Sequence, residues 1–432
     1  MSATPSIYSS PHVPRCGIGF MMMRSMRQHA LSSIIAIVCV ALATGLTISV
    51  VSINAQAYKV FTGGQAGFDA VLGARGSQLQ LVLNAVFHLE TSPGNIPWSL
   101  YQAVKKDPRV ELAVPYALGD NYNGFRIVGT TEELFTKFEF EKGRKFAIAP
   151  GGRMFDTTRR EAVIGSFVSR QTGLKVGSNF NPFHGLNFDP KAKHDEVYVV
   201  TGVMEPSNTP SDRVIWIPIE GVYRMEGHVL RGADKEFKPA AGEEIPDEHK
   251  EVSAVMLKLR SPQGGFSLEQ MINKQGKVAT LAFPIGRTMA DLFDKMGWVN
   301  RILGLVAYLV AVVAAGTILA SIYNTINERR REFAILRALG ARRRRVFTAI
   351  VAEASTIAAI GAAAGLLVYL GILGVAAKIV QAQTGVVLDL MFPHQILYLA
   401  PLGMIALGAL AGIVPAIKAY GTDVAENISP TS

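Results

Sequence analysis

The sequence predicts a membrane α-helical protein: four transmembrane helices, with a large mixed α/β domain inserted between helices 1 and 2. Three observations lead there. Apolar stretches at residues 31–53, 299–323, 347–373 and 395–417 are nearly free of charge, Glu353 being the one acidic residue among them. Each is long enough to cross a hydrocarbon core of ~30 Å, which takes about 20 helical residues. The 432-residue chain is 49% hydrophobic with a mean hydropathy of +0.25, a balance that fits membrane helices joined to a sizeable water-soluble part. Finally, the net charge of +9 is concentrated, with Arg329, Arg330, Arg331, Arg337 and Arg342 to Arg345 crowded between the second and third stretches. Such clustering is a positive-inside signal and argues against nucleic acid as the partner.

Topology follows from the same charges. Arg15, Arg24 and Arg27 precede the first stretch and Lys418 follows the fourth, whereas the third-to-fourth connection holds only Lys378 and Asp389. Both termini are therefore expected in the cytoplasm, and the long segment after the first span outside it. Ala55-Gln56-Ala57 resembles a signal-peptidase site, but the apolar run before it is longer than a signal's h-region, which is about 7–15 residues, so a retained span is expected. Residues 1–20, rich in Ser, Pro and Gly, read as a disordered tail, and Met21, Met22 and Met23 offer a second translation start. Cys16 and Cys39 lie before and inside the first span, so the external domain is expected to fold without disulfides. The expected division is a tail and basic pre-span helix (1–30), helix 1 (31–53), external domain and stalk (54–298), helix 2 (299–323), cytoplasmic loop (324–346), helix 3 (347–373), external loop (374–394), helix 4 (395–417) and cytoplasmic C-terminus (418–432).

Within the external domain, short β-like runs at 70–73, 110–116, 125–129, 162–164, 196–203, 214–218 and 252–260 alternate with helical stretches. Pro97 reads as the first-turn proline of a helix reaching 106. A second helix at 267–274 is expected to turn Leu268, Met271 and Ile272 inward. Residues 227–250 read as an inserted mobile loop, and 291–298 as a helical stalk feeding directly into helix 2. The histidines His88, His184, His194, His228 and His249 bring no His-x-x-His or Cys pair. His184 to Asp189 with His194, Asp195 and Glu196 therefore reads as a solvated polar loop rather than a zinc site, and no metal is expected. Trp98, Tyr101 and Trp216 are expected to pack the core rather than form a ligand platform.

The loop between helices 2 and 3 is the informative segment. Phe333, Leu336 and Leu339 recur every three residues with Ile335 beside them, a short helix with an apolar stripe that Gly340 would stop. Physics leaves three readings open: a helix lying on anionic lipid, a topology signal without a partner, or a helix docking into a groove of another protein. Gly361-x-x-x-Gly365 and Gly408-x-x-x-Gly412 place small residues one turn apart, suited to close packing within the bundle or to dimerisation. Glu353, about two turns into helix 3, is expected to play a structural part, paired with one of Arg342–Arg345 or protonated.

Arg331-Glu332-Phe333-Ala334-Ile335-Leu336-Arg337-Ala338-Leu339-Gly340-Ala341 resembles the coupling-helix signature of the FtsX-like, MacB-type (type VII) ABC permeases. Arg24-Ser-Met-Arg27, Glu161-Ala-Val-Ile-Gly165, Gly173-Leu-Lys-Val-Gly177, Val199-Val-Thr-Gly-Val203, Glu353 with the glycine pair after it, and Pro415-Ala-Ile-Lys418-Ala extend the resemblance along the chain. What the resemblance implies is mechanotransmission at a bacterial inner membrane. A cytoplasmic ABC ATPase dimer would bind ATP and grip the coupling helices of two permease copies, identical or paralogous, through Glu328, Arg331, Glu332, Phe333, Ile335, Leu336, Arg337, Leu339 and Gly340. Movement would then pass to a periplasmic domain that exports or extracts a hydrophobic, lipid-like or peptide substrate with a periplasmic adaptor, or else regulates an envelope enzyme. The sequence has no Gly-x-x-x-x-Gly-Lys-Ser/Thr, no Gly-x-Ser-x-Gly and no His-Glu-x-x-His. A non-enzymatic permease that binds no cofactor itself is therefore expected, the ATP being bound by its partner.

Overall fold

The computed structural model describes residues 18–63, 67–185, 188–225, 244–338 and 341–420. They form two units: a helical one (1–52, 299–374 and 390–432) and an α/β one (53–298 and 375–389).

Twelve strands occur among the described residues of the α/β unit: β1 (Ala70–Ala74), β2 (Ile96–Pro97), β3 (Val110–Tyr122), β4 (Phe125–Thr130), β5 (Glu161–Ile164), β6 (Asn179–Phe180), β7 (Phe183–His184), β8 (Tyr198–Val203), β9 (Ile215–Pro218), β10 (Glu251–Val252), β11 (Ala254–Leu259) and β12 (Ala279–Ala282). Ten make one mixed sheet in the order β12-β1-β11-β3-β4-β9-β5-β8-β6, with β7 added on β3; β2 and β10 pair separately. The pairs β4/β9 and β5/β8 are parallel and the rest antiparallel. Because side chains alternate across a strand, Leu72, Val255, Leu257, Ile215 and Ile217 enter one core while Val71, Met256 and Trp216 enter the other. Helices and loops cover both faces, which is why these strands read as apolar runs rather than as alternating patterns.

Several boundaries moved. The strand expected at 110–116 runs on to Tyr122 through a bulge between Leu118 and Asp120. The run 252–260 divides between two sheets at Ser253, whose hydroxyl instead bonds Asn95 and the Leu118 backbone. Pro97 precedes the helix Trp98–Lys105 rather than opening its first turn. The helix expected at 267 begins at Pro262, capped by Ser261, and takes in Gly265, which is needed because a Cβ would meet the Phe283 ring within 2.6 Å. It widens into a π turn at Met271–Gln275, and Met271 is 41% exposed instead of inward, while Leu268 and Ile272 are buried as expected. The stalk is the helix Ile285–Lys295, which ends before Met296 instead of feeding directly into the next helix. Most of the expected loop at 227–250 lies outside the described residues. Its end is fixed, with Ile245 buried and Lys250 bonded to Glu220 and Asp247 at 3.1 and 3.2 Å. Trp98, Tyr101 and Trp216 are core residues, the first two with ring centroids 4.6 Å apart.

Among the described residues, four helices are long and apolar enough to cross a membrane: Ala30–Thr62, Gly297–Glu328, Arg343–Thr384 and Ile396–Lys418. Arg301 lies near the start of the second. The first and third run beyond their apolar stretches, so residues 375–384, expected in a loop, are helical. In the α/β unit this extension is held by Arg213 donating to the Gln383 carbonyl (2.8 Å) and by the Val387 N–H donating to Asn208 (2.7 Å). Inside the helical unit, a Cβ on Gly361 would lie 2.6 Å from Val40 Cβ, and one on Gly365 2.6 Å from Thr44 Cβ. Likewise Gly408 and Gly412 face Ala358 and Ala354. The third-span helix thus packs backbone-close on the first and the fourth, and both glycine pairs serve contacts within one chain.

Candidate functional site

The helix Gly297–Glu328 stops at a single turn residue, Arg329, and the short helix Arg330–Ala338 follows. Glu332 sits in its first turn, where a carboxylate suits the positive end of the helix dipole, and Arg329 Nε donates to Glu332 Oε2 at 2.8 Å. Ala334 is buried and anchors the helix, whereas Ile335, one residue on, is 45% exposed between charged neighbours. Arg330, Arg331 and Glu332 are exposed as well. The side chains of Phe333, Leu336 and Arg337 lie outside the described residues, as do Leu339 and Gly340 altogether, so the expected stripe is described at Ile335 alone.

The helix Arg343–Thr384 begins at this segment with three arginines and no acid in its first turn. Cations there oppose the dipole, by about 0.3–1 kcal/mol each at an exposed site. Arg342 to Arg345 are all exposed. Their field favours an anionic surface facing the segment.

Beneath, the segment is braced by its own unit. His29 Nδ1 lies 3.0 Å from Glu328 Oε2, and Ser25 Oγ donates to Glu353 Oε1 at 2.7 Å. Lys418 hydrogen-bonds the Tyr323 hydroxyl and lies 4.4 Å from its ring centroid. Glu353 therefore pairs with Ser25 of the pre-span helix Ile18–Gln28 rather than with any of Arg342–Arg345, because that helix packs over its end of the third span. Sequence reasoning missed Ser25 and His29; neither carries a spacing signal, and only the folded bundle brings them to Glu353 and Glu328.

In the α/β unit, two of the buried polar centres among the described residues bear on the candidate sites. Asp212 is buried and accepts from the Ser207 N–H, the Ser207 hydroxyl and the Asn208 N–H at 2.9–3.1 Å. Burial pushes its carboxyl pKa up against those donors. His88 is buried beside Tyr116 and Trp216, and burial, reinforced by Arg126 and Arg213, pushes its pKa down to about 3. The other centre brings His184 and His194 together at Asp120. The polar loop expected there is only partly solvated: His184, Asp189 and Asp195 are exposed, but His194 and Glu196 are buried, since residues 193–200 alternate outward and inward. His228 lies outside the described residues, and His249 sits 3.8 Å from Glu248.

Comparison with known proteins gives two family matches: the FtsX-like permease C-terminal model over residues 304–424 and the MacB-like periplasmic core domain over residues 33–271. No curated protein matches. Among solved structures, the periplasmic region of MacB from Actinobacillus actinomycetemcomitans is 12% identical, covering 53% of this chain and 94% of that one, with a TM-score of 0.32. The extracellular domain of the noncanonic ABC-type transporter YknZ from Gram-positive bacteria is also 12% identical, covering 49% and 97%, with a TM-score of 0.27.

Proposed function

The chain belongs to the FtsX-like permeases with a MacB-like periplasmic core domain, a multi-pass membrane family of ABC-type complexes, and from that premise we propose that the Arg329–Arg345 segment is where a separate cytoplasmic ABC ATPase grips it. ATP is bound by that partner, and this chain is non-catalytic and binds no cofactor for the cycle. It lies in a bacterial inner membrane with both termini cytoplasmic and works with a second permease copy. Binding of ATP moves the segment, and the movement reaches the periplasmic domain to export or extract a hydrophobic, lipid-like or peptide substrate.

The observation carrying this reading is an exposed Ile335 on an anchored helix, set among arginines whose position at a helix N-terminus opposes the dipole. An apolar anchor ringed by cations suits an acidic-rimmed groove on a protein. Phe333, Leu336, Leu339 and Gly340 join the contact, with Glu328, Arg331, Glu332 and Arg337 at its rim. Photo-crosslinking from residue 335 in native membranes, read by mass spectrometry, tests it: an ABC ATPase is expected, and lipid alone refutes the docking helix. The same experiment from exposed positions of the α/β domain is expected to capture a lipid, lipoprotein or peptide; capture of an envelope hydrolase alone replaces export by regulation of that enzyme.

A further inference from the structure

We propose that Asp120, His184 and His194 form a binding site for a divalent transition-metal ion of the zinc class. It is independent of the ATPase-driven reading, since it rests only on the α/β domain.

Three chain segments converge to make the site. β3 supplies Asp120 immediately after its bulge, a device that re-aims a side chain. β7 pairs with β3 so that His184 stands opposite Asp120. His194 comes from the extended segment entering β8, on the same inward face as Tyr198 and Val200. His184 Nδ1 and His194 Nε2 both lie 3.3 Å from one atom, Asp120 Oδ1, and all three ligand atoms fall within 4.8 Å of one another. That spacing is long for an N–H···O hydrogen bond, which averages about 2.9–3.0 Å. It matches the roughly 3.3 Å edge between two ligand atoms that share a tetrahedral ion at about 2.0–2.1 Å.

The surroundings hold the ligands in place, as metal sites require. Asn121 donates to the carbonyls of Phe183 and Gly185 on either side of His184, at 3.2 and 3.0 Å. Asn181 donates to the carbonyls of His194 and Glu196, at 3.2 and 3.0 Å, and the His194 N–H donates to the Pro182 carbonyl. Asp120 is 2% exposed and His194 8%, so two ligands are buried and preset, while His184 is 57% exposed and forms the open side. Three protein ligands with one solvent-facing position leave the fourth to water or to an anionic group of a bound molecule. Two imidazoles with one carboxylate suit zinc, cobalt, nickel or ferrous ions over calcium or magnesium. Arg126, whose field reaches Asp120, opposes a bound cation, and Glu196, buried on the same inward face as His194, lies 4.0 Å from Arg160.

The ion would tie β7 and the entry to β8 onto β3, short segments otherwise joined by few ladder bonds. The test uses full-length protein without a polyhistidine tag, in detergent, stripped with a chelator and titrated with Co(II) while visible absorption is followed. Zinc content after dialysis is read by elemental mass spectrometry. One ion per chain is expected, with affinity at least about tenfold lower in H184A and in H194A, and a melting temperature raised by Zn(II) in the wild type but not in H184A. His184 is exposed, so H184A keeps the fold even if H194A does not. No stoichiometric Co(II) or Zn(II) in the wild type, or equal binding by H184A, overturns the proposal.

Discussion

Two polar regions of this chain are built in opposite ways. Around Asp212 in the α/β domain, donors are buried and close, and the neighbouring Asn208 and Arg213 extend the network to residues 383 and 387. Around Arg329–Arg345 in the helical unit, Arg330, Arg331 and Arg342 to Arg345 are exposed, and the one ion pair described there joins the mostly buried Arg329 to the half-exposed Glu332. A buried network loses much when one member is removed, because donors are left without acceptors. Exposed ion pairs hold little stability, typically about 0–1 kcal/mol. The first region is therefore part of what holds the domain, and the second contributes less to it and presents its exposed arginines to a partner.

The sharpest break in that contrast is Asp212→Ala, which strands the N–H groups of Ser207 and Asn208. It should cost about 2–4 kcal/mol in thermal unfolding of the domain, with ATPase capture intact when assayed well below the melting point. Acid should come next. His88 titrates at 6.5 when unfolded and about 3 when folded. Unfolded chains thus bind the extra proton between these values. The stability from its neutral form is complete above pH 6.5 and falls as pH drops towards 3, by about 2 kcal/mol at pH 5. Replacing His88 by a neutral residue of similar shape should flatten that slope in a pH series of melting curves. Ser25→Ala, which removes Glu353's hydrogen-bond donor, should cost about 1 kcal/mol in denaturant unfolding of the helical unit. Smallest for stability is Glu332→Gln, at less than about 1 kcal/mol, though it should alter ATPase capture. A large stability loss from Glu332→Gln would erase the contrast.

The spans were legible because lipid demands long apolar runs, and β1, β4, β5 and β9 because both their faces are buried. Harder were β2, β6 and β7, two-residue strands defined by their partners rather than by a pattern. The early start of the helix at Pro262 was not legible, because it takes in Gly265, where close approach to Phe283 outweighs helix propensity. In the basic segment the sequence displayed the arginines and the stripe, but not that Ala334 turns inward beside an exposed Ile335. Asp120 was invisible as a companion of His184 and His194, because no local spacing links residues that only β-sheet register brings together.

If the exposed segment holds an ATPase, ATP hydrolysis co-purifies with the tagged permease from native membranes, and it is to be compared between wild type and Ile335→Asp. Ile335 is exposed, so the substitution leaves the domain's melting temperature unchanged. Loss of co-purified ATPase at that unchanged melting temperature is the predicted result; equal activity with both proteins would contradict it.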